Sequence, residues 1–110
     1  MTNQEVVMEY LRCFCEGDIG GLEPLLAANL CFTGTFHTYS SATEYVDSLK
    51  DDLPGKCECK VLSITENEHS VAVFYKYQKQ DRAMQIAQLF KIKEEKIHEI
   101  LLVFDGRGIA

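Results

Sequence analysis

The segment MQIAQLFKIKEEKIHEILLVF, Met84 to Phe104, sets two apolar alternations around an acidic pair, and its pairing register decides which side chains face the interior. It reads as two antiparallel strands joined by a hairpin. Strand side chains alternate between faces, so His98 or Glu99 points inward, never both. A two-residue type I′ turn over Glu94-Glu95 needs positive φ at both glutamates, where Asn-Gly and Asp-Gly are the favoured pairs. A three-residue loop, Lys93 to Glu95, closed by a bulge needs positive φ at only one. That choice pairs Ile92 with Lys96, Phe90 with His98, Gln88 with Ile100, Ile86 with Leu102 and Met84 with Phe104. Met84, Ile86, Phe90, Ile92, Ile100, Leu102 and Phe104 then share one face with Gln88 and His98, and Glu99 faces away. The away face still carries Ala87, Leu89, Ile97, Leu101 and Val103. It is too apolar for plain exposure, so a second subunit is expected to cover it, giving a homodimer.

Strands dominate the half of the chain that leads into this hairpin. CECKVLSITE (57–66) and SVAVFYKYQKQ (70–80) alternate as strands, with Asn67 and Glu68 near the turn between them. Helices precede them. Thr2 and Glu5 form a capping box, followed by Val6, Val7, Tyr10, Leu11 and Phe14 at helical spacing and a stop at Gly17. Asp18 caps a second helix in IGGLEPLLAA, kept short by its glycines and by Pro24. NLCFTGTF reads as a strand interrupted at Gly34. Ser41 and Glu44 box the start of a third helix, which runs to about Leu49 and ends at DDLPG. Helices first and antiparallel strands afterwards define an α+β fold, with the helices packed on one sheet face. Residues 1–110 form a single domain, without repeat or linker.

Composition excludes several functions. A net charge of -6, with lysines dispersed or beside acids, offers no basic surface for nucleic acid or an anionic membrane. No apolar run reaches the length of a bilayer span, and MTNQEVV lacks the pattern of a secretory leader, so a soluble cytoplasmic protein is expected. The five cysteines are odd in number, and in that compartment they weigh against a disulfide framework. Cys13 and Cys15 point roughly 200° apart on a helix. Cys57 and Cys59 share a strand face, but without C-x-x-C spacing or a nearby histidine they do not read as a zinc site. No metal and no cofactor are expected.

Two stretches carry a family resemblance. YLRCFCEGDIGGLEPLLAANLCFTG (10–34) and LFKIKEEKIHEILLVFDG (89–106) resemble the nuclear transport factor 2-like superfamily, including its SnoaL-like and ketosteroid isomerase branches. The N-terminal stretch is similar to the branch's helix, Gly-Asp, short helix and first strand, and the C-terminal stretch is similar to its closing hairpin. The resemblance implies a curved, mixed, mainly antiparallel sheet wrapped over three N-terminal helices. This cone-shaped, cystatin-like roll encloses a pocket and is often dimeric. Tyr10 falls where the isomerase branch keeps a phenolic oxyanion donor, and Gln88 where it keeps a protonated aspartate. Gly34 falls where its catalytic aspartate base belongs, so steroid isomerisation by that route is not expected. Ser40-Ser41 stand where SnoaL-like relatives commonly place a glycine.

The candidate site follows from the inward face. Tyr10 and Gln88 are donors for a carbonyl or carboxylate, and His98 is the candidate catalytic acid or base. Tyr75 and Tyr77, which alternate inward with Val71 and Val73, join Met84, Ile100 and Phe104 as apolar lining. His37 and Tyr39 lie in the loop before the third helix, an ordinary exposed loop or the mouth of the pocket. His69 lies beside a hairpin turn, and Asp105 just past the last strand, where it caps backbone amides. Three functional classes fit. One is a cofactor-free isomerase, dehydratase or cyclase of an apolar carbonyl compound. The others are a pocket that binds such a molecule unchanged and a non-catalytic dimeric interaction module with a vestigial pocket. The missing carboxylate at Gly34 favours the last two.

Overall fold

The computed structural model describes residues 1–51, 57–80 and 82–104; Asp105 and the part of DDLPG beyond Asp51 lie outside the described residues. Helix α1 (Asn3–Glu16) starts on the expected box: Glu5 N–H donates to Thr2 Oγ1 at 3.1 Å and Thr2 N–H to Glu5 Oε1 at 2.7 Å. Gly17 closes it in the left-handed conformation, φ 71°, where a Cβ would be strained. Helix α2 (Ile19–Leu22) is a single turn capped by Asp18 and runs into a 3₁₀ turn, Glu23–Leu25, holding Pro24. Strand β1 (Leu26–Thr33) therefore begins three residues earlier than expected, since Leu26 and Ala27 bury their side chains in extended backbone. After the short β2 (Thr38–Tyr39), helix α3 (Ala42–Asp51) opens with Glu44 N–H donating to Ser41 Oγ at 3.1 Å. The Glu44 carboxylate reaches back to Ser40 N–H at 2.8 Å, one residue earlier than in a standard box.

Strands β3 (Glu58–Glu66), β4 (Ser70–Lys79), β5 (Arg82–Lys93) and β6 (Lys96–Phe104) form the expected meander. The six strands make one curved, unclosed sheet in the order β2-β1-β6-β5-β4-β3. Among the described residues, only the β1–β6 pair is parallel. Helices α1 and α3 cover its inner face, with Val6, Val7, Leu11 and Val46 packed against Leu30, Val71, Val73, Phe90 and Ile100. Among the described residues, no helix is long and apolar enough to cross a membrane.

The β5–β6 turn departs from the expected three-residue loop. Lys93 pairs with Lys96, and both Glu94 (φ 53°) and Glu95 (φ 64°) adopt positive φ, as a type I′ turn requires. The irregularity moves into β6 instead: Ile92 pairs with Ile97 and Lys91 with Glu99, and His98 is skipped. Magnitudes explain the outcome. A second left-handed non-glycine residue costs roughly 1–2 kcal/mol, whereas burying an isoleucine contributes about 1.5–3 kcal/mol. Here both Ile97 and Ile100 are buried. Beyond the bulge the register is slipped by two residues (Ile86 with Phe104, Gln88 with Leu102), so the faces fall as expected. Ile97 and His98 are the exceptions. Ile97, expected on the away face, is buried opposite Ile92. His98 lies half-buried in a groove with His69, Lys91, Lys93 and Glu99, away from the helix-covered face.

The cysteines also depart from expectation. Cys15, in the last turn of α1, is joined to Cys59 of β3 in a disulfide across 44 residues of sequence. Helix α1 crosses the end of the sheet, a tertiary contact that cysteine spacing alone cannot carry.

Candidate ligand cavity

The inner face of β1, β4, β5 and β6, closed over by α1 and α3, leaves a cavity of about 420 Å³. Its inner end is polar and buried. Tyr75 Oη–H donates to Gln88 Oε1 at 2.6 Å, and Tyr10 Oη meets Tyr45 Oη in a short hydrogen bond. Gln88 also hydrogen-bonds the Tyr10 phenol. Because its oxygen accepts from Tyr75, the amide nitrogen is the group left to donate to Tyr10. Tyr75 donates to Gln88, Gln88 donates to Tyr10, and in the Tyr10–Tyr45 pair either hydroxyl can be the donor. Whichever donates, the pair uses one of its two hydroxyl hydrogens and leaves the other for a ligand. Linked donors of this kind polarise one another.

Burial pushes the Tyr10 phenol up from the ordinary tyrosine range, opposed in part by its hydrogen bonds with Tyr45 and Gln88. Burial raises Tyr45 well above that range, with the neighbouring Tyr10 adding to it, and Tyr75 likewise. All three stay protonated near neutral pH and serve as donors rather than bases. The described cavity-lining residues include no carboxylate, and their single imidazole is His37.

The outer end is aromatic. Phe32 stacks on Tyr45 with centroids 4.7 Å apart, and Phe36 meets Phe104 edge-on at 5.6 Å. Phe36 is 59% exposed and forms the rim with Thr35 and His37. Gly34 lies at this rim, its N–H donating to the His37 carbonyl at 2.8 Å. A Cβ there would come within 3.0 Å of the Phe32 ring, so a side chain would crowd the wall.

Four of the candidate residues converge here: Tyr10, Gln88, Tyr75 and Phe104. Four do not. Ile100 is buried in the core, and Tyr77 packs its ring on Phe14 at 6.4 Å. Met84 pairs with Tyr77 and borders a surface groove with Lys76 and Gln85. His98 is carried outside by the β6 bulge. His37 and Tyr39, read from sequence as part of an exposed loop or a pocket mouth, both line the cavity. Tyr45 was absent from the sequence-derived set. Ala42, Tyr45, Val46 and Leu49 recur at helical spacing and mark it as inward-facing. Its contact with Tyr10, 35 residues away, leaves no local signal.

Comparison with solved structures identifies the architecture as the nuclear transport factor 2-like fold. A nuclear transport factor 2-like protein of unknown function from Cytophaga hutchinsonii superposes with a TM-score of 0.85 at 17% identity, over 97% of this chain and 93% of that one. A Shewanella putrefaciens protein provisionally described as a SnoaL-like polyketide cyclase gives 0.84 at 13%, over 93% and 79%. An LEH-like epoxide hydrolase from M. tuberculosis gives 0.79 at 16%, over 92% and 80%. No protein-family model and no curated protein sequence matches the chain.

Proposed function

We propose that the protein binds a small, mostly apolar molecule, aromatic or alicyclic, that carries one carbonyl or carboxylate. The buried Tyr10–Tyr45 hydroxyl pair, backed by Gln88 and Tyr75, carries this reading. A buried donor at the inner end of an aromatic cavity needs an acceptor once water leaves, and an apolar wall rewards only one polar head. Binding without turnover is the better-supported form of the proposal, because the polar groups at the inner end are protonated phenols and an amide. None of them is an acid–base group poised near neutrality. No substrate is carried over from the epoxide hydrolase and the provisionally described polyketide cyclase that share the fold.

A second feature supports a homodimer formed through the outer sheet face. Phe74, Ala87 and Val103 are cross-strand neighbours in one row, and Ala72, Leu89 and Leu101 form the next. Phe74 and Val103 are each 54% exposed. Contiguous apolar rows of this kind suit a second copy of the sheet.

Native mass spectrometry of freshly purified protein tests both points. A retained small molecule that Tyr45→Phe releases is the expected result for the cavity. A chain free of ligand, with no compound from a panel of aromatic ketones and carboxylates binding it, would leave the interaction-module reading in front.

A further inference from the structure

Cys15, Cys57 and Cys59 meet where the end of α1 passes the start of β3, and their three sulfurs all lie within 4.8 Å of one another. The backbone builds this cluster. Cys57 and Cys59 are two residues apart on extended chain and so present sulfur to the same side. Cys57 N–H donates to the Cys15 carbonyl at 3.2 Å, which ties the strand entry to the helix end. The Cys57 thiol points at the same carbonyl at 3.8 Å. Cys13 points to another flank of α1, toward Glu9 and Arg12, and takes no part.

Cys15 and Cys59 are bonded to each other in the disulfide, and all three sulfurs lie close enough for one ion to reach them once that bond is reduced. With a metal–sulfur bond of about 2.3 Å, three thiolates lie about 4.0 Å apart in a trigonal site and about 3.8 Å apart in a tetrahedral one. The cleft beside the cluster, bordered by Glu16, Glu58, Gln78 and Gln80, gives an ion access and leaves room for a water ligand. Thiolate sulfur is a soft donor and selects soft ions over magnesium or calcium.

We infer that the reduced Cys15–Cys57–Cys59 cluster is a three-thiolate site for a soft d¹⁰ ion, Cu(I) or Zn(II), and that the Cys15–Cys59 disulfide is its metal-free oxidised form. Binding is not a redox step: three thiols give up three protons and three sulfur–metal bonds form. The exchange between forms is a redox step. A small-molecule disulfide takes two electrons and two protons from Cys15 and Cys59 and leaves as two thiols, and Cys57 remains a single thiol. A dithiol reductant reverses it. Cu(I) is complete with three sulfurs, whereas Zn(II) adds a water from the cleft.

The test uses the full chain, reduced under inert gas and freed of reductant. It is titrated with Cu(I) against a bicinchoninate competitor and, separately, with Zn(II) against a chromophoric chelator. One ion per chain for at least one metal is expected, with X-ray absorption showing three sulfurs at about 2.3 Å. Cys57→Ser should weaken binding at least about tenfold, and disulfide-oxidised wild type about a hundredfold or more. The exposed Cys31→Ser variant should bind like wild type. Reduced wild type that binds neither ion, a site with fewer than three sulfurs, or unchanged binding by Cys57→Ser would overturn the assignment. Should Cys57→Ser fail to fold, the sulfur count and the comparison of reduced with oxidised wild type decide alone.

Discussion

The hydroxyls of Tyr10 on α1 and Tyr45 on α3 share a hydrogen bond at the inner end of the cavity, although 35 residues separate them in sequence. Each phenol is buried. Tyr45→Phe removes one hydroxyl of the pair and little volume. It should weaken a ligand bound through its carbonyl by roughly 1–3 kcal/mol, about fivefold to a hundredfold in affinity. Tyr10→Phe removes the hydroxyl that both Tyr45 and Gln88 engage and leaves a Gln88 amide hydrogen unpaired, so it should lower stability as well as affinity. Isothermal titration with the retained molecule, beside urea unfolding, separates the two effects.

The raised phenols also fix a direction for pH. Their folded-state values lie above the unfolded value, so the unfolded chain ionises first as pH rises. The unfolded state then binds fewer protons than the native state, and stability falls with pH. The contribution is intact below about pH 10, the unfolded tyrosine value, and is lost as pH rises beyond it toward the folded values. Urea midpoints measured through that range should decline, and Tyr75→Phe should flatten the decline. A wild-type midpoint unchanged across the same range would place these phenols in water.

Much of the fold was legible because it is written locally. The Thr2–Glu5 box, the Gly17 stop and the alternation of Val71, Val73 and Tyr75 each lie within a few residues of sequence, and each is present as read. What was not legible depends on contacts between distant segments. The hairpin turned on a comparison that local turn preference cannot make, the burial of Ile97 against the strain of two left-handed glutamates. The cavity was legible in part: Tyr10 and Gln88 were found on their own elements, whereas Tyr45 enters through the crossing of α1 and α3. The same holds for Cys15, whose partners lie on β3.

The hairpin register gives a direct mutational contrast. Ile97 is fully buried and opposite Ile92, while His98 is skipped by the ladder. Ile97→Ala should therefore cost about 2–5 kcal/mol, the range of large-to-small core changes. His98→Ala should stay within about 1 kcal/mol and leave ligand binding unchanged. Urea denaturation of the two variants checks the order. A reversed order would restore the three-residue loop and return His98 to the interior.

The outer sheet face offers the final test. Leu62, Phe74, Leu101 and Val103 are large apolar side chains left exposed on β3, β4 and β6, and three of them are more than half exposed. Pairing places Leu101 beside Leu89, and Phe74 and Val103 on either side of Ala87, so apolar surface runs across three strands. Lys91 and Glu99, an ion pair at 3.3 Å, continue the same face with charge. A two-fold dimer would bury the apolar rows and leave such pairs at its rim, as interfaces with apolar centres do. Leu101→Glu sets a charge in that centre on both subunits, where it meets its symmetry mate or apolar neighbours without a partner. Sedimentation equilibrium at micromolar concentration should show wild type as a dimer and Leu101→Glu as a folded monomer. A wild type that sediments as a monomer would count directly against this interface.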